Sequence, residues 1–520
     1  MKHTLRGPSK LAAVLSAAGL VLASFGFPAR LSVAQGRGGG PRGLGRPGGP
    51  PGFGRSGVGP QGRGGPGLGR PGRGGPGVGL PGSSGGLTIT STPWACGPNC
   101  PSDAPSSVNL YTLTNRNGMK VNISNYGGVV QSIWVPSRTH QLVDVALGFP
   151  YLGDYVNDFQ NQPWPAIATG QSGDTYFGAI IGRYANRIAD ASFTLNGTTY
   201  PLPENNNETT TLHGGPDSYN TKVWTASTTT TSNYVALQLS YTDPAGYNGF
   251  PGAVSNTVTY SLDNNNNLHI YYQATSTAPT VINLTNHTYF NLGGEGSGSV
   301  MGQYLQINAD TYTPTDQYQI PTGAFVPVQG TAFDFTTMHQ IGEYIHDTNL
   351  PDGGNQPYPQ LVIAHGYDFN WVLNGYPSDC YSTVSCLSAY KLGATAFDPN
   401  TGIVLREFTD QPGVQLYTGN FLQGDLVGPS GQTYRQGDGF TLETQHFPDT
   451  PHHIGQAGWP SVVLNPGDQF NSCTTYQFGT AGPGSVHFPP AGPPGKPFVN
   501  FPPPGSPSAA AAICPQEMGS

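Results

Sequence analysis

The sequence predicts an all-β protein, a large antiparallel β-sandwich flanked by disordered tails rich in Gly and Pro. Two observations lead to this prediction. Apolar and polar residues alternate with a period of two through the middle of the chain, and no stretch of about 12 or more residues shows helical spacing with caps. The 75 Gly and 50 Pro among 520 residues are also too many for one uniformly folded globule, so the chain has to be divided.

The first 34 residues are predicted to be a signal peptide. Lys2, Arg6 and Lys10 precede the uncharged apolar run 11–23, and small residues lead to a cleavage site near Ala34. The apolar run is shorter than the roughly 20 residues that a membrane span needs. The sequence therefore predicts an extracellular, secreted protein, and a wall-associated one is a variant of the same hypothesis.

Two further segments are predicted to be disordered. Residues 35–86 have almost nothing with which to build a core, since positions 36–86 hold 25 Gly, 9 Pro and 7 Arg. Residues 481–520 form a Pro-rich C-terminal tail. The predicted folded domain is therefore 87–480, which is long enough for a large core.

The predicted domain is strongly acidic. Eleven of the 21 Lys and Arg residues, and none of the 29 Asp and Glu residues, lie within 1–86, so the remainder has a formal charge near −19 where the whole chain has −8. Such a body repels phosphate backbones and anionic lipid headgroups, which argues against nucleic acid and membrane partners. We expect a small neutral molecule as partner, and a monomer or weak dimer.

Individual strands follow from the alternation. Apolar residues occupy every second position in the segments 235–241, 256–262 and 268–274, and turn-forming pairs such as Asn196-Gly197 and Asp263-Asn264 separate segments of this kind. These features are typical of antiparallel hairpins, so packed antiparallel sheets are predicted.

The cysteines suit an oxidising compartment, because six of them occur in a chain with a secretory signal. Although six cysteines allow 15 pairings, the spacing favours local disulfides between Cys96 and Cys100 and between Cys380 and Cys386. A metal site is disfavoured because no Cys-x2-Cys pair occurs.

Five sequons would permit N-glycosylation if the source carries it out, at Asn122, Asn196, Asn207, Asn283 and Asn286.

Familiar catalytic motifs are absent from the sequence, among them Gly-x-Ser-x-Gly, the phosphate-binding loop and His-Glu-x-x-His. What remains is a dispersed set of segments in which ionisable or amide groups stand beside Gly, Tyr, Phe or Asn. They are 182–188, 212–215, 286–292, 365–368, 411–415 and 442–445. Directional polar groups on a rigid aromatic wall suit a neutral sugar, whereas a phosphorylated sugar would need more cations than Arg183 and Arg187.

These segments occur in the same order in aldose 1-epimerases, and the chain resembles that family from about Tyr111 to Phe478. The resemblance includes Gly127-Gly128-Val129 upstream and Leu464-Asn-Pro-Gly467 downstream. It implies a large antiparallel β-sandwich that interconverts the α and β anomers of free aldohexoses such as galactose and glucose. An acid and a base suffice for this reaction, so neither a cofactor nor a metal is expected.

The resemblance also implies roles for individual residues. His287, in Asn-His-Thr-Tyr-Phe-Asn, matches the family's general acid, and Glu443, in Glu-Thr-Gln, matches its general base. The substrate-binding positions fall on Asn186, Arg187, His213, Asp368 and Gln415.

The chemistry agrees with those two catalytic roles. Mutarotation needs a base that takes the proton of the anomeric O1 hydroxyl and an acid that gives a proton to the ring oxygen O5, which opens the ring. We expect Glu443 and His287 on opposite sides of the sugar ring, with pKa values shifted by burial. The nearby His446, His452 and His453 are interpreted as loop residues and not as metal ligands.

Two features depart from the family's pattern. Phe369 follows Gly-Tyr-Asp where many members carry a His, which predicts an altered edge of the sugar pocket. The segment from Asn374 to Lys391 looks like an insertion closed by its own disulfide, and it predicts changed access to the pocket or a changed range of accepted sugars.

Plainer interpretations of the site residues stay open. Arg187 could pair with Asp190, Asp368 could cap a turn, and His213, which precedes two glycines, could be an ordinary loop histidine.

Three other functions also stay open. The first is a glycoside hydrolase that uses Glu443 and Asp368 as its carboxylate pair, which release of reducing sugar would reveal. The second is a secreted sugar-binding protein without catalysis, because a fold and a pocket do not guarantee turnover. The third is a structural or wall-associated protein whose Gly/Pro-rich tails are the functional part.

Overall fold

The structure, a computed structural model, describes residues 86–160, 175–206, 209–346 and 360–481. The predicted signal peptide 1–34 lies outside the described residues. So do the Gly-rich segment 35–86 apart from Gly86, the tail 481–520 apart from Ala481, and the sequon at Asn207.

The described residues form thirty strands, numbered β1 to β30 along the chain, and two short helices, α1 (Leu152–Gln160) and α2 (Gln360–Ala364). The predicted all-β class is confirmed. Within this part of the chain no helix is long and apolar enough to cross a membrane.

The largest sheet has nine strands and contains all three segments in which the alternation is clearest. Residues 235–241, 256–262 and 268–274 lie in neighbouring antiparallel strands, as predicted. In spatial order the strands are β11 (Thr225–Thr230), β12 (Tyr234–Asp243), β13 (Val254–Asp263), β14 (Asn267–Ser276), β30 (Phe470–Thr480), β24 (Ile403–Thr409), β23 (Lys391–Phe397), β18 (Tyr304–Ile307) and β21 (His339–Gln340).

A second antiparallel sheet has six strands and carries several of the predicted site residues. In spatial order its strands are β17 (Tyr289–Phe290), β28 (Phe440–Gln445), β25 (Gly413–Tyr417), β22 (Asp368–Val372), β19 (Thr311–Thr313) and β20 (Val326–Pro327).

Smaller sheets complete the described part of the chain. The five-stranded sheet consists of β1 (Thr88–Pro93), β2 (Asn109–Thr114), β3 (Lys120–Ser124), β4 (Val130–Pro136) and β5 (Leu142–Asp144). The two-stranded sheets pair β6 (Ile180–Ile181) with β16 (Thr285–Asn286), β7 (Arg187–Ile188) with β10 (Thr211–Leu212), β8 (Ser192–Leu195) with β9 (Thr198–Pro201), β15 (Thr280–Val281) with β29 (Val463–Leu464), and β26 (Gln423–Val427) with β27 (Thr433–Arg435).

The six-stranded and nine-stranded sheets share one apolar core. Leu442 and Trp371 of the smaller sheet belong to the same buried cluster as Leu405 and Tyr476 of the larger one. The Tyr476 hydroxyl donates a hydrogen bond across the core to the Leu442 carbonyl, 3.1 Å away. The predicted sandwich is therefore present, and the other face of the six-stranded sheet is free to carry polar side chains.

The expectation that Phe369 alters the sugar pocket is wrong. Successive side chains of a strand point to opposite faces, so Phe369 faces the core when its neighbour Asp368 faces the polar side of the sheet. Its ring packs edge-on against Tyr312 and Phe333 at centroid distances of 6.1 and 4.9 Å.

The two predicted disulfides, Cys96–Cys100 and Cys380–Cys386, are present. The predicted insertion around the second disulfide packs on the nine-stranded sheet. There the Ser385 hydroxyl donates to the Asn471 carbonyl and the Tyr390 hydroxyl donates to Thr475 Oγ1. Its described contacts therefore hold it against β30, and they provide no support for a role in pocket access.

Two of the sequons are buried. Asn283 and Asn286 are at most 2% exposed, and their side-chain amides donate to backbone carbonyls of Ala185 and Gly178. Neither can accept a glycan in the folded protein. The exposed Asn196 stays a predicted acceptor.

Candidate active site

The polar face of the six-stranded sheet forms the floor of the candidate site. Gln415 of β25 lies directly opposite Glu443 of β28, and Asp368 of β22 lies opposite Tyr417 one step along the sheet. Because their neighbours in sequence fill the core, these side chains all emerge on the same side. Within the Leu-Glu-Thr-Gln motif, Leu442 therefore packs in the core and Glu443 faces the site.

His287 lies in the short link between β16 and β17. Its backbone N–H donates to the Ala179 carbonyl, and its own carbonyl accepts from the Gly178 N–H, both at 3.0 Å. The Asn286 side chain fixes the same link, because it donates to the Gly178 carbonyl and accepts from the Thr288 N–H. The Asn-His-Thr motif therefore holds the imidazole through its backbone.

His287 and Glu443 meet directly. Nε2 of His287 is 3.5 Å from Oε1 of Glu443, and both side chains are almost completely buried. This spacing leaves no room for a sugar ring between them, so the expectation that they lie on opposite sides of the ring is wrong. Adjacent groups suit the reaction better, because O1 and O5 are bonded to the same carbon atom.

Burial shifts both groups toward their neutral forms. Desolvation, followed by the nearby charge of Asp368, raises the pKa of Glu443 to about 8. Desolvation lowers the pKa of His287 to about 3. Between these values the pair holds one proton in total, which either group can carry.

His213 is held by a reciprocal pair of hydrogen bonds with Asn186. The backbone N–H of His213 donates to the Asn186 carbonyl at 3.0 Å, and the backbone N–H of Asn186 donates to the ring nitrogen Nδ1 of His213 at 3.1 Å. Both residues have left-handed backbone, with φ of 52° and 64°. Burial lowers the pKa of His213 well below its usual value, so the ring is neutral and Nε2 carries its proton as a donor.

His213, His287 and Glu443 also have the composition of a metal site, with their ligand atoms within 4.8 Å of one another. The tautomer of His213 argues against that use. A neutral imidazole that binds a metal through Nε2 must carry its proton on Nδ1, and that nitrogen accepts from the Asn186 N–H. The donor set therefore fits hydrogen bonding to a ligand better than coordination.

A second polar cluster surrounds Asp368. Gln415 Nε2 donates to one carboxylate oxygen at 2.7 Å, and Gln319 Nε2 donates to the other at 2.8 Å. Arg187 Nη2 lies 3.5 Å from that second oxygen, and Arg187 Nε donates to Asn206 Oδ1 at 3.1 Å. In this part of the described site, the guanidinium group of Arg187 and the oriented carboxylate of Asp368 can both form hydrogen bonds with hydroxyl groups.

The structure decides the plainer interpretations of several residues. Arg187 pairs with Asp368 and not with Asp190, which is exposed. Arg183 points away from the site and forms a buried ion pair with Asp243 at 2.7 Å. The three downstream histidines contact other side chains: His446 contacts Gln411, while His452 and His453 contact Asp449.

The predicted role of Asn186 is substrate binding. In the structure its Oδ1 accepts from the Arg187 N–H at 2.9 Å, and its backbone holds His213. Its described contacts therefore orient two other site residues.

The sequence-based prediction omits several residues near the site, among them Tyr176, Thr441, Gln319 and Asn206. The Tyr176 ring packs 4.6 Å from His213 and 5.7 Å from His287, and Thr441 Oγ1 donates to Glu443 Oε1 at 2.9 Å. Gln319 and Asn206 hold Arg187. Strand alternation could have indicated Thr441, two positions before Glu443, but the other three come from loops without a distinguishing pattern.

The sandwich and its buried carboxyl–imidazole pair define an acid–base enzyme built on an all-β scaffold. A family model described as Aldose 1-epimerase matches residues 109–477. The galactose mutarotase of Rattus norvegicus is 36% identical over 363 residues, which cover 70% of this chain and 92% of that protein. The aldose 1-epimerase of Escherichia coli K12 is 33% identical over 374 residues, which cover 71% and 94%.

A solved structure is similar as well. The galactose 1-epimerase from Lactobacillus acidophilus NCFM has a TM-score of 0.59 at 26% identity, and the match covers 76% of this chain and all of that one. The chain belongs to the aldose 1-epimerase family of isomerases.

Proposed function

We propose that this protein interconverts the α and β anomers of free aldohexoses, with Glu443 as general base and His287 as general acid. The observation that carries the proposal is the 3.5 Å separation of Glu443 Oε1 and His287 Nε2 in a buried site. Two groups this close can serve two oxygens on one carbon. Membership of the aldose 1-epimerase family supports the same reaction.

In the reacting form of the pair, His287 carries the proton and Glu443 is ionised. Glu443 takes the proton of the O1 hydroxyl, His287 gives its proton to O5, and the C1–O5 bond breaks as the C1 carbonyl forms. Rotation about C1–C2 presents the other face of the carbonyl. His287 then takes back the O5 proton as O5 attacks C1, and Glu443 returns its proton to O1, so nothing is consumed.

The remaining site residues suit a neutral sugar. Arg187 and the Nε2–H group of His213 are donors, Asp368 is an acceptor, and the Gln415 amide offers an acceptor in its Oε1, which has no partner among the described residues. Galactose, named for similar proteins, and glucose are both candidate substrates.

The hydrolase alternative is weaker. Both oxygens of Asp368 already accept hydrogen bonds from amide N–H groups. With both oxygens engaged in this way, Asp368 is oriented to accept hydrogen bonds from sugar hydroxyls and not to act on an anomeric carbon. Membership of the aldose 1-epimerase family also favours the isomerase over the hydrolase.

The experiment follows the optical rotation of freshly dissolved α-D-galactose and α-D-glucose with the full-length protein. We expect faster equilibration than the spontaneous rate with at least one sugar, and a loss of about 10²–10⁴-fold in Glu443→Gln. Equilibration at the spontaneous rate with both sugars, with binding of either retained, would instead indicate a sugar-binding protein. Release of reducing sugar from an oligosaccharide would indicate the hydrolase.

We also propose that the protein is secreted. The apolar N-terminal run supports this, and so do the disulfides Cys96–Cys100 and Cys380–Cys386, since such bonds persist in oxidising compartments.

A further inference from the structure

Gln319 lies between the two charged groups of the candidate sugar site. Its Oε1 accepts from Arg187 Nη2 at 2.8 Å, and its Nε2 donates to Asp368 Oδ2 at 2.8 Å. Arg187 Nη2 and Asp368 Oδ2 are themselves 3.5 Å apart. The direct ion pair is therefore long, and the amide makes the two shorter contacts.

Hydrogen bonds within the loop that carries Gln319 fix the conformation of its backbone. Asp316 Oδ1 accepts from the N–H groups of Tyr318 and Ile320 at 2.8 and 3.0 Å, and the Asp316 N–H donates to the Ile320 carbonyl. Thr315 and Pro321 form a bridge below this turn. Gln319 itself has a left-handed backbone with φ of 61°, a conformation that costs free energy for a residue with a Cβ atom.

The physical role of the amide follows from how Arg and carboxylate groups behave when nothing separates them. They close to short, parallel hydrogen bonds, and each group then turns toward the other and commits two of its hydrogen-bonding positions to it. With Gln319 in place, Asp368 keeps both oxygens oriented by amides, from Gln319 and Gln415, and retains lone pairs for other donors.

We infer that Gln319 is a positioning residue for sugar binding, which keeps Arg187 and Asp368 separated and available to the hydroxyl groups of the aldohexose. The inference rests on the proposed function. The opposite interpretation is that the amide, with one donor and one acceptor, occupies the place of a sugar hydroxyl and must leave before the sugar binds.

The test replaces Gln319 with Met, which keeps the side-chain length and removes both hydrogen bonds. The matched control is Gln317→Met, an exposed Gln on the same loop. In full-length protein we expect Gln319→Met to raise KM for mutarotation about tenfold, equivalent to about 1.4 kcal/mol of binding free energy, with kcat within about threefold. The control should match the parent.

Repeating the substitution in an Asp368→Asn variant distinguishes a positioning role of Gln319 from a general structural role. In Asp368→Asn the strong direct ion pair with Arg187 cannot form, so adding Gln319→Met should raise KM less than about twofold further. Thermal denaturation of every variant checks that each is folded, and Gln319→Glu replaces Gln319→Met if the latter is not. Gln319→Glu should also raise KM, because its charge repels Asp368.

Three results would overturn the inference: an unchanged KM in Gln319→Met, a lower KM, or an equal rise in both backgrounds. A lower KM would show that the amide occupies the sugar's place. Each of these leaves the proposed function intact, since that function fails only if the parent protein does not accelerate mutarotation.

Discussion

Glu443 is a buried carboxyl group with little to stabilise its charge. Thr441 donates to Oε1, while Oε2 has no partner within the part of the chain that the structure describes. A buried polar group in this state costs stability, and such costs are concentrated at functional sites. The neutral His287 beside it has its pKa shifted in the opposite direction, so the two groups are poised to exchange one proton.

The pH dependence of the reaction follows from these two shifts. Between the pKa of His287, about 3, and that of Glu443, about 8, the free enzyme's pair holds one proton, which is the number that the mechanism uses. We therefore expect kcat/KM to be flat from about pH 5 to 7 and to fall about tenfold per pH unit above pH 8. Polarimetry with the spontaneous rate subtracted at each pH measures this profile.

A rise of kcat/KM through pH 8 would contradict that view, because it would mean that ionised Glu443 acts with a neutral His287. Melting temperatures across the same range serve as the control for acid or alkaline unfolding.

Some of this site could be predicted from the sequence, and the limits have physical reasons. His287 and Glu443 could be predicted because each stands in a recognisable sequence motif. The structure brings the two side chains into contact. Their spacing could not be predicted, because no sequence pattern encodes a distance between strands far apart in the chain. Gln319 and Tyr176 reach the site from loops, and only the tertiary fold decides where a loop side chain ends.

At the level of the elements, β22, β25 and β28 explain the Pro-Gly-Val-Gln motif. Gly413 lies opposite Gln445, and a Cβ atom there would overlap Asn370 Oδ1 and stand 3.0 Å from the Phe447 ring. Asn370 in turn lies opposite Gln415. The glycine therefore lets the amide of Asn370 pack over the strand that positions Gln415.

Gly413→Ala should therefore destabilise the protein by about 1–3 kcal/mol, because the added methyl group overlaps fixed neighbours. Differential scanning fluorimetry or urea unfolding measures the change. The matched control is Gly479→Ala in β30, where a Cβ atom meets nothing within 4 Å. Equal stability of the two variants would show that Asn370 and Phe447 move aside freely.

The alternation rule predicts strands well where they are long and one face is buried, as in β12, β13 and β14. It also accounts for the error at Phe369, since a residue next to Asp368 in a strand has to face the opposite side. The two-residue strands such as β7 and β16 carry no periodic signal, and only the motifs point to them.

At the scale of the whole molecule, most of the acidic residues and the match to the family lie in the described sandwich. Cleavage and secretion directed by the basic first 86 residues stay sequence-based predictions. Expression of the full chain in a secreting host tests the signal peptide. We expect the protein in the medium with an N-terminus near Gln35, read by N-terminal sequencing.

The matched control for secretion is Leu15→Arg, which interrupts the apolar run with a charge and should keep the protein in the cell. A parent protein that is retained in the cell and begins at Met1 would contradict secretion. So would equal amounts of parent and control in the medium.

The most direct test of the central claim, that Glu443 and His287 act as one proton-transfer unit, is the anomer exchange rate measured by NMR magnetisation transfer. The samples are the parent, Glu443→Gln, His287→Gln and the double variant, each checked for folding. We predict a loss of about 10²–10⁴-fold in each single variant and no further loss in the double variant. Losses that multiply in the double variant, or a single variant that keeps most of the parent rate, would contradict the claim.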